Sequence, residues 1–504
     1  MTTLDDSDLA RFAEAILAES GRKGLGLAEV FLKASRSLRC EIGPLGVRSI
    51  EDREETGAAV RVWTHEGRAG FAHTDAPRIE RVEALVRAAR SAAQRHPEDP
   101  PPNLPVEDRT SPERGAPSID SSAQQRGRSS ENRRHPPSER HRVEDPVVPA
   151  PPGKRSGQEP CPIEANESFD VASLQTLAHR LIGAFSAPGR EGIGLLQGWV
   201  EFGTTRTVIA NGAGGRARSE LGLVSAGVLV RALGGGRDAG LPPLIRYAQT
   251  AGSFEELDPD RIAAEAAWRA GASTGGESHS AREAIVLLEP RTAASWLRAV
   301  VSAMQEGSRP EDHDRQGGGI VAWPEIPGLD LIDDPALPFG PPVPDHDGVG
   351  RGVRRRVLLL DGRPFARAAG SPGSDDAGDE PEPMRRDSYR DPPVAGPIKP
   401  YLRPGDRTRE ELLQGLEEGL FVTSSTPYAA QGSASFVAEV RGIWIESGRA
   451  RKPVAGTLLV LPTLRSLARI EARGSDLEFD DGGPPTGAPT LRISGALLIA
   501  PREP

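Results

Sequence analysis

The residues that invite a chemical reading are few. A catalytic zinc helix carries two histidines about one turn apart, with a glutamate beside the first as general base. The stretch THEGRAGFAH, residues 64–73, begins that way with His65 and Glu66. The positions four and five residues after His65 are Ala69 and Gly70, however, and the next histidine is His73. Alternation in Ala58–Trp63 and again in Arg68–Ala72 predicts two strands with His65-Glu66-Gly67 at the turn between them. No other histidine in the chain is followed by glutamate.

Two Asp-His-Asp triplets are the next candidates, Asp312-His313-Asp314 and Asp345-His346-Asp347. Carboxylates and imidazole can bind a metal, and a carboxylate can orient an imidazole. Neighbouring side chains in an extended segment point to opposite sides, so such a triplet rarely converges on one ion. Both read as solvated loops. The second, completed by Gly348, precedes a strand, and Asp345, Asp347 and Gly348 are candidates for shaping a peptide groove. The Gly-rich stretches ALGGGRDAG and RQGGGI lack the lysine and hydroxyl of a phosphate loop, and no Gly-x-Ser-x-Gly elbow is present. Cys40 in a strand-like stretch and Cys161 in a Pro-rich one make neither a zinc cluster nor a disulfide framework.

The elements that must position these residues alternate along the chain. Ser7 caps a helix with Leu9, Phe12, Ala13, Ile16 and Leu17 on one stripe, ended by Gly21. Strands are predicted over 28–34, 37–42, 58–63 and 68–72. A helix over 78–95 follows, with Ile79, Val82, Leu85, Val86 and Ala89 inward. After residue 168 come a helix over 171–185, a hairpin over 198–215 turning at Asn211-Gly212, a strand over 221–233 and a helix over 259–272. A buried strand (283–290) leads to a helix over 292–304. The last third is strand-rich, at 355–366, 438–448 and 456–462, with helices over 409–418 and 463–472. The fold class is α+β: an N-terminal α/β domain (1–96), a central α+β domain (168–280) and a β-rich C-terminal domain (281–504).

Two stretches are too polar to bury a core and read as disordered inserts, at 97–167 and about 369–384. The first includes RGRSSENRRHPPSERHR; it reads as a tolerated insertion, with an arginine-rich arm that touches nucleic acid or a partner as the alternative. The chain has 504 residues and a net charge of -10, so bulk electrostatics do not favour nucleic acid. No apolar run reaches the roughly 20 residues of a membrane span. The acidic N-terminus has no signal-peptide pattern, so a cytoplasmic location is expected.

The ordered set AEVFLKASRSLRCEI, GAAVRVWTHEGRAGFAHTD, LIDDPALP, DHDGVGRGVRRRVLLLDGRPFA, RRDSYRDPPVAGPIKPYLRPGD, EELLQGLEEGLFV, RGIWIESGRARKPVAG and LARIEARGSDLEF resembles the TldD/PmbA family, on its PmbA (TldE) side. The resemblance implies three regions and dimers. It implies that TldD-type members are zinc peptidases with a His-Glu-x-x-x-His helix and a distant cysteine ligand. PmbA-type members lack those ligands and pair with a TldD-type subunit to degrade unfolded or modified peptides.

In TldD-type chains the metal helix follows a strand like IVLLEP. Registered on Pro290, the three key positions here hold Arg298, Ala299 and Ala303. Alanine cannot ligate, and a guanidinium has no lone pair to donate. The C-terminal region also has no cysteine. The expectation is therefore a chain without catalytic or metal residues and without a cofactor of its own. Zinc is expected in a TldD-type partner, in a heterodimer, with unfolded peptide as substrate and with neither membrane nor nucleic acid as a partner. Two alternatives remain: a homodimer that binds peptide or protein without cutting it, and a hydrolase built on Asp345–Asp347.

Overall fold

Residues 27–63 fold as one long hairpin. Strand β1 (Leu27–Gly43) pairs antiparallel with β2 (Gly46–Trp63) from Leu27↔Trp63 to Gly43↔Gly46, and Pro44 and Leu45 make the turn. The two strands expected over 28–34 and 37–42 are thus one, because Ser35 and Arg36 keep the pairing unbroken. The computed structural model describes residues 6–95, 171–187, 190, 192–233, 244–306, 325–338, 340–364, 381–428, 435–480 and 484–500. Strands β3 (Ala69–Thr74), β4 (Ile193–Asn211), β5 (Arg216–Ala232) and β6 (Ile245–Ala251) complete a six-stranded antiparallel sheet, in the order β3-β2-β1-β4-β5-β6.

This sheet crosses the expected boundary between the first two domains. Strand β1 pairs with β4 from Glu29↔Asn211 to Ile42↔Gly198, so residues on both sides of the 97–167 stretch share one sheet. The stretch itself lies outside the described residues. The hairpin expected over 198–215 is instead the second half of β4 and a turn into β5. Asn211 makes that turn: its Oδ1 accepts from the amides of Ala213 (2.9 Å) and Gly215 (3.0 Å).

One face of the sheet carries four helices. Ala28, Val30, Leu32 and Ala34 of β1 pack with α1 (Asp6–Arg22) and α2 (Val82–Ala93). Farther along, Cys40 and Ile42 meet α3 (Val171–Ala184) and α4 (Pro259–Ala272). Each fully buried Val, Leu, Ile or Phe on this face contributes about 1.5–3 kcal/mol. The α1 stripe is as expected, with Leu9, Phe12, Ala13 and Ile16 buried. Ile79 is not inward: it falls in a 3-10 turn before α2 and is exposed.

The C-terminal half begins with β7 (Ala281–Leu288) and α5 (Pro290–Glu306). The strands β8 (Leu331–Asp333), β9 (Arg356–Leu360), β10 (Arg363–Pro364), β11 (Met384–Arg385), β12 (Val394–Ala395) and β13 (Pro400–Leu402) follow, and then α6 (Arg409–Gln414). The chain ends in β14 (Glu418–Pro427), β15 (Ser435–Glu446), β16 (Arg449–Pro462), β17 (Ile470–Arg473), β18 (Glu478–Asp480), β19 (Thr486–Ala488) and β20 (Leu491–Ile499). One six-stranded sheet has the order β16-β15-β14-β7-β20-β17, and an added β16–β20 pairing closes its first five strands into a ring, with β17 outside. The other runs β10-β9-β8-β13-β19-β18. Trp296, Leu297, Val300 and Val301 of α5 are buried in the core that both sheets share.

Three expectations need correction here. Residues 463–472 are not a helix: a short 3-10 turn, Arg465–Arg469, leads straight into β17, where the alternation of Ile470 and Ala472 outweighs helical propensity. The helix expected over 409–418 stops at Gln414, with Gly415 as its C-cap. Of the 369–384 insert, residues 381–384 are described, and Met384 begins β11; the rest lies outside the described residues.

The first sheet's other face meets the C-terminal half at its β2–β1 end. Tyr389, buried, packs with Phe31 and Ala59 directly over Gly57. A Cβ on Gly57 would fall inside the Tyr389 ring. Gly57→Ala should lower the thermal unfolding midpoint, by a destabilisation of about 1–3 kcal/mol. Gly183→Ala on α3, where nothing lies within 4 Å, should move it the other way.

Candidate functional site

Strand β7 and helix α5, which the sequence resemblance sets against the TldD-type metal helix, are built from their junction outward. Strand β7 ends in a fully buried run, Val286-Leu287-Leu288, and delivers Glu289 to the start of α5. Glu289 is itself buried, and it caps the helix. Its carbonyl accepts from Ala293, and its Oε1 accepts from the Thr292 amide (2.9 Å) and hydroxyl (3.0 Å). Pro290 then occupies the first helical position, where a missing N–H costs nothing. Glu289 Oε2 takes Arg269 Nη2 of α4 at 2.8 Å, and Arg269 Nη1 donates to the Thr423 carbonyl at 3.1 Å. Strand, helix and the α4 layer are thereby locked together.

The α5 face that does not enter the core carries Arg291, Arg298 and Gln305, spaced by seven residues and so stacked along one side. Each is latched. Arg291 donates to the Ala248 carbonyl of β6. Arg298 Nη2 pairs with Asp480 Oδ2 of β18 at 2.9 Å. Gln305 Nε2 donates to Glu382 Oε1 and to the Ala395 carbonyl, both at 3.0 Å. Ala299 and Ala303 beside them are half-buried.

Two family descriptions match this chain, "PmbA/TldA metallopeptidase domain 1" over residues 28–93 and "PmbA/TldA metallopeptidase C-terminal domain" over residues 281–499. The chain belongs to the PmbA/TldD family. Solved structures share its fold. A structure described as TldE from Thermococcus kodakarensis is 15% identical with a TM-score of 0.69, the match covering 97% of this chain and 100% of that one. A putative modulator of a DNA gyrase from Thermotoga maritima is 17% identical, TM-score 0.66, covering 98% and 100%. A putative modulator of DNA gyrase from Bacteroides thetaiotaomicron is 17% identical, TM-score 0.65, covering 99% and 100%.

The residues that the sequence resemblance sets against the TldD-type metal helix, Arg298, Ala299 and Ala303, do not have the chemistry to hold zinc. Arg298 offers no lone pair and is engaged with Asp480, and two methyl groups cannot ligate. Among the described residues, no group of three or more His, Cys, Asp or Glu side chains is placed to hold a metal ion. His65 and Glu66 are exposed at a turn, where the Thr64 amide donates to the Arg68 carbonyl, as the alternation predicted. His73 is exposed on β3, away from that turn. Cys40 is a buried free thiol whose pKa burial pushes up. Cys161 and Asp312-His313-Asp314 lie outside the described residues.

The second triplet is split by its surroundings. Asp345 is exposed, and His346 and Asp347 are buried. Asp347 organises a turn. Its Oδ1 accepts from the amides of Val349 (3.0 Å) and Arg351 (2.9 Å). Its Oδ2 accepts from Arg351 Nε (2.9 Å) and the Met384 amide (3.0 Å). A carboxylate with this many donors is spent on structure. Gly348 is held as close: a Cβ there would meet the Met384 carbonyl at 2.7 Å. None of Asp345, Asp347 and Gly348 lines either of two grooved surfaces formed by the described residues.

Those surfaces lie on the open face of the first sheet. Two adjoining grooves, of about 700 Å³ and 410 Å³, share Glu201, Ser225 and Thr250. The larger is lined by Ser35, Ser37 and Thr205 among others, and the smaller by Trp199, over whose ring the guanidiniums of Arg39 and Arg246 sit at 5.1 and 4.8 Å. Hydroxyls and paired charges make this face polar across β1, β4, β5 and β6. It was not legible beforehand because the outward serines and threonines of a strand look like any solvated face.

One buried group was also missed. Lys399 is fully buried beside Phe479, and its Nζ donates to the Leu337 carbonyl at 2.9 Å. Burial pulls its pKa from 10.5 down to about 8, against the opposing pull of Asp334 and Glu256. Between those values the unfolded chain holds a proton that the folded chain has released. Stability should therefore rise with pH from about 8 to 10.5, by up to about 3 kcal/mol. Unfolding midpoints across that range should show this slope in the natural chain and lose it in Lys399→Met.

Proposed function

We propose that this chain is a PmbA/TldE-type subunit that carries no metal and works with a zinc-bearing TldD-type chain in trimming unfolded or modified peptides. The observation that carries the reading is the Arg298–Asp480 pair, with Ala299 and Ala303, at the positions of the family's metal motif. The name TldE borne by the Thermococcus kodakarensis protein agrees with it. In this reading the peptide runs extended along the polar grooves of the first sheet, whose side-chain hydroxyls can meet main-chain amides of any sequence. The described residues contain no helix long and apolar enough to cross a membrane, and we place the complex in the cytoplasm.

Co-purification of this chain with a TldD-type chain, each also prepared alone, tests the reading through cleavage of an unfolded peptide. A stable mixed complex that cleaves faster than either chain alone is the expected result. Cleavage by this chain alone would overturn it. A failure to associate, with the chain self-paired and binding peptide uncut, would favour a binding homodimer.

A further inference from the structure

Among the described residues, the contact between the first sheet and the C-terminal half buries three guanidiniums against two carboxylates. Glu29, on β1, is 1% exposed and stands in an otherwise apolar run. It takes two guanidiniums at once: Arg61 Nη2 of β2 at 3.1 Å on Oε2, and Arg386 Nη2 on Oε1. The side chains of Arg61 and Arg386 are 8% and 1% exposed. The other buried carboxylate here, Asp347, is matched by Arg351 at 2.7 Å. Three guanidiniums thus face two carboxylates.

The hydrogen bonds show the same imbalance. Arg386 Nε donates to the Gly348 carbonyl at 3.2 Å, and the flat faces of the two guanidiniums rest on rings, Arg386 on Phe31 and Arg61 on Trp63. After these contacts Arg61 Nε, Arg386 Nη1 and Trp63 Nε1 are buried without an acceptor among the described residues. All three atoms can only donate, so they cannot satisfy one another. An unmet buried donor costs about 1–3 kcal/mol. Burial holds the pKa of Arg386 down to about 10, which Glu29 opposes and the like charge of Arg61 reinforces.

We propose that this cluster is a binding site for one small monovalent anion of the halide class, accepting from Arg61 Nε, Trp63 Nε1 and Arg386 Nη1. Arg61 and Arg386 meet on one carboxylate and Trp63 lies under Arg61, so the three donors belong to side chains of one buried cluster. One negative charge restores balance. A phosphate would bring more acceptor oxygens than there are donors and an excess of negative charge. The apolar neighbours Val349 and Met384, packed on Trp63, offer no further side-chain donors.

The test is the unfolding midpoint of the purified full-length chain, titrated with chloride or bromide against gluconate at constant ionic strength. The midpoint should rise with halide in the logarithmic manner of a ligand that binds only the folded state. Trp63→Phe keeps the ring and removes one donor, and should weaken the halide response about fivefold or more. Arg61→Met removes the surplus charge and should abolish it. In bromide-soaked crystals an anomalous peak should sit among the three nitrogens. Midpoints that do not distinguish halide from gluconate would overturn the proposal. So would a halide response shared equally by both variants, or an ordered water at the nitrogens in place of bromide.

Discussion

The arrangement of this protein depends on one buried ion pair, Glu289 with Arg269. Glu289 closes β7, caps α5 and receives an arginine from α4, and that arginine also reaches the Thr423 carbonyl at the end of the neighbouring strand stretch in β14. Breaking such a pair by removing one partner leaves an uncompensated buried charge and typically costs about 3–5 kcal/mol. The pair sets where α5 begins, and therefore which residues of α5 face the core and which face outward. That register places Arg298 outward, where it meets Asp480.

With the register fixed, the outward face of α5 has a structural use. Arg291, Arg298 and Gln305 reach β6, β18 and the β11–β12 pair, so one side of the helix joins the first sheet to two strand groups of the C-terminal half. Arginine suits this because it offers several donors in a fixed plane and keeps its charge when partly buried. The same residue type makes the second contact between the halves, where Arg386 crosses to Glu29. The cations of this chain do much of the joining that apolar side chains do in the cores.

The long elements were readable because their periodicity is strong. The stripe of α1, the helix over Pro259–Ala272 and the alternation around the His65 turn all stand as expected. The short 3-10 turn at Arg465–Arg469 was misread because Leu464, Leu467 and Ala468 carry a helical spacing that β17, paired with β20, interrupts. The union of the first two regions in one sheet could not be read, since the β1–β4 register depends on contacts across more than a hundred residues. That Arg298, Ala299 and Ala303 offer no lone pair to a metal was legible from residue type alone, but the Asp480 partner of Arg298 was not. Glu29 did carry a signal, a single carboxylate among Ala28, Val30, Phe31 and Leu32; choosing its partners among the chain's many arginines required the fold.

The most direct test of the central claim is the zinc content of this chain by itself, after equilibration with zinc and removal of loosely held metal, compared with a TldD-type chain carried through the same steps. The arrangement of α5 predicts that the TldD-type chain retains zinc and this chain retains none. Zinc held stoichiometrically by this chain alone would contradict the account. Loss of that zinc on Arg298→Ala would place the contradiction at α5 itself.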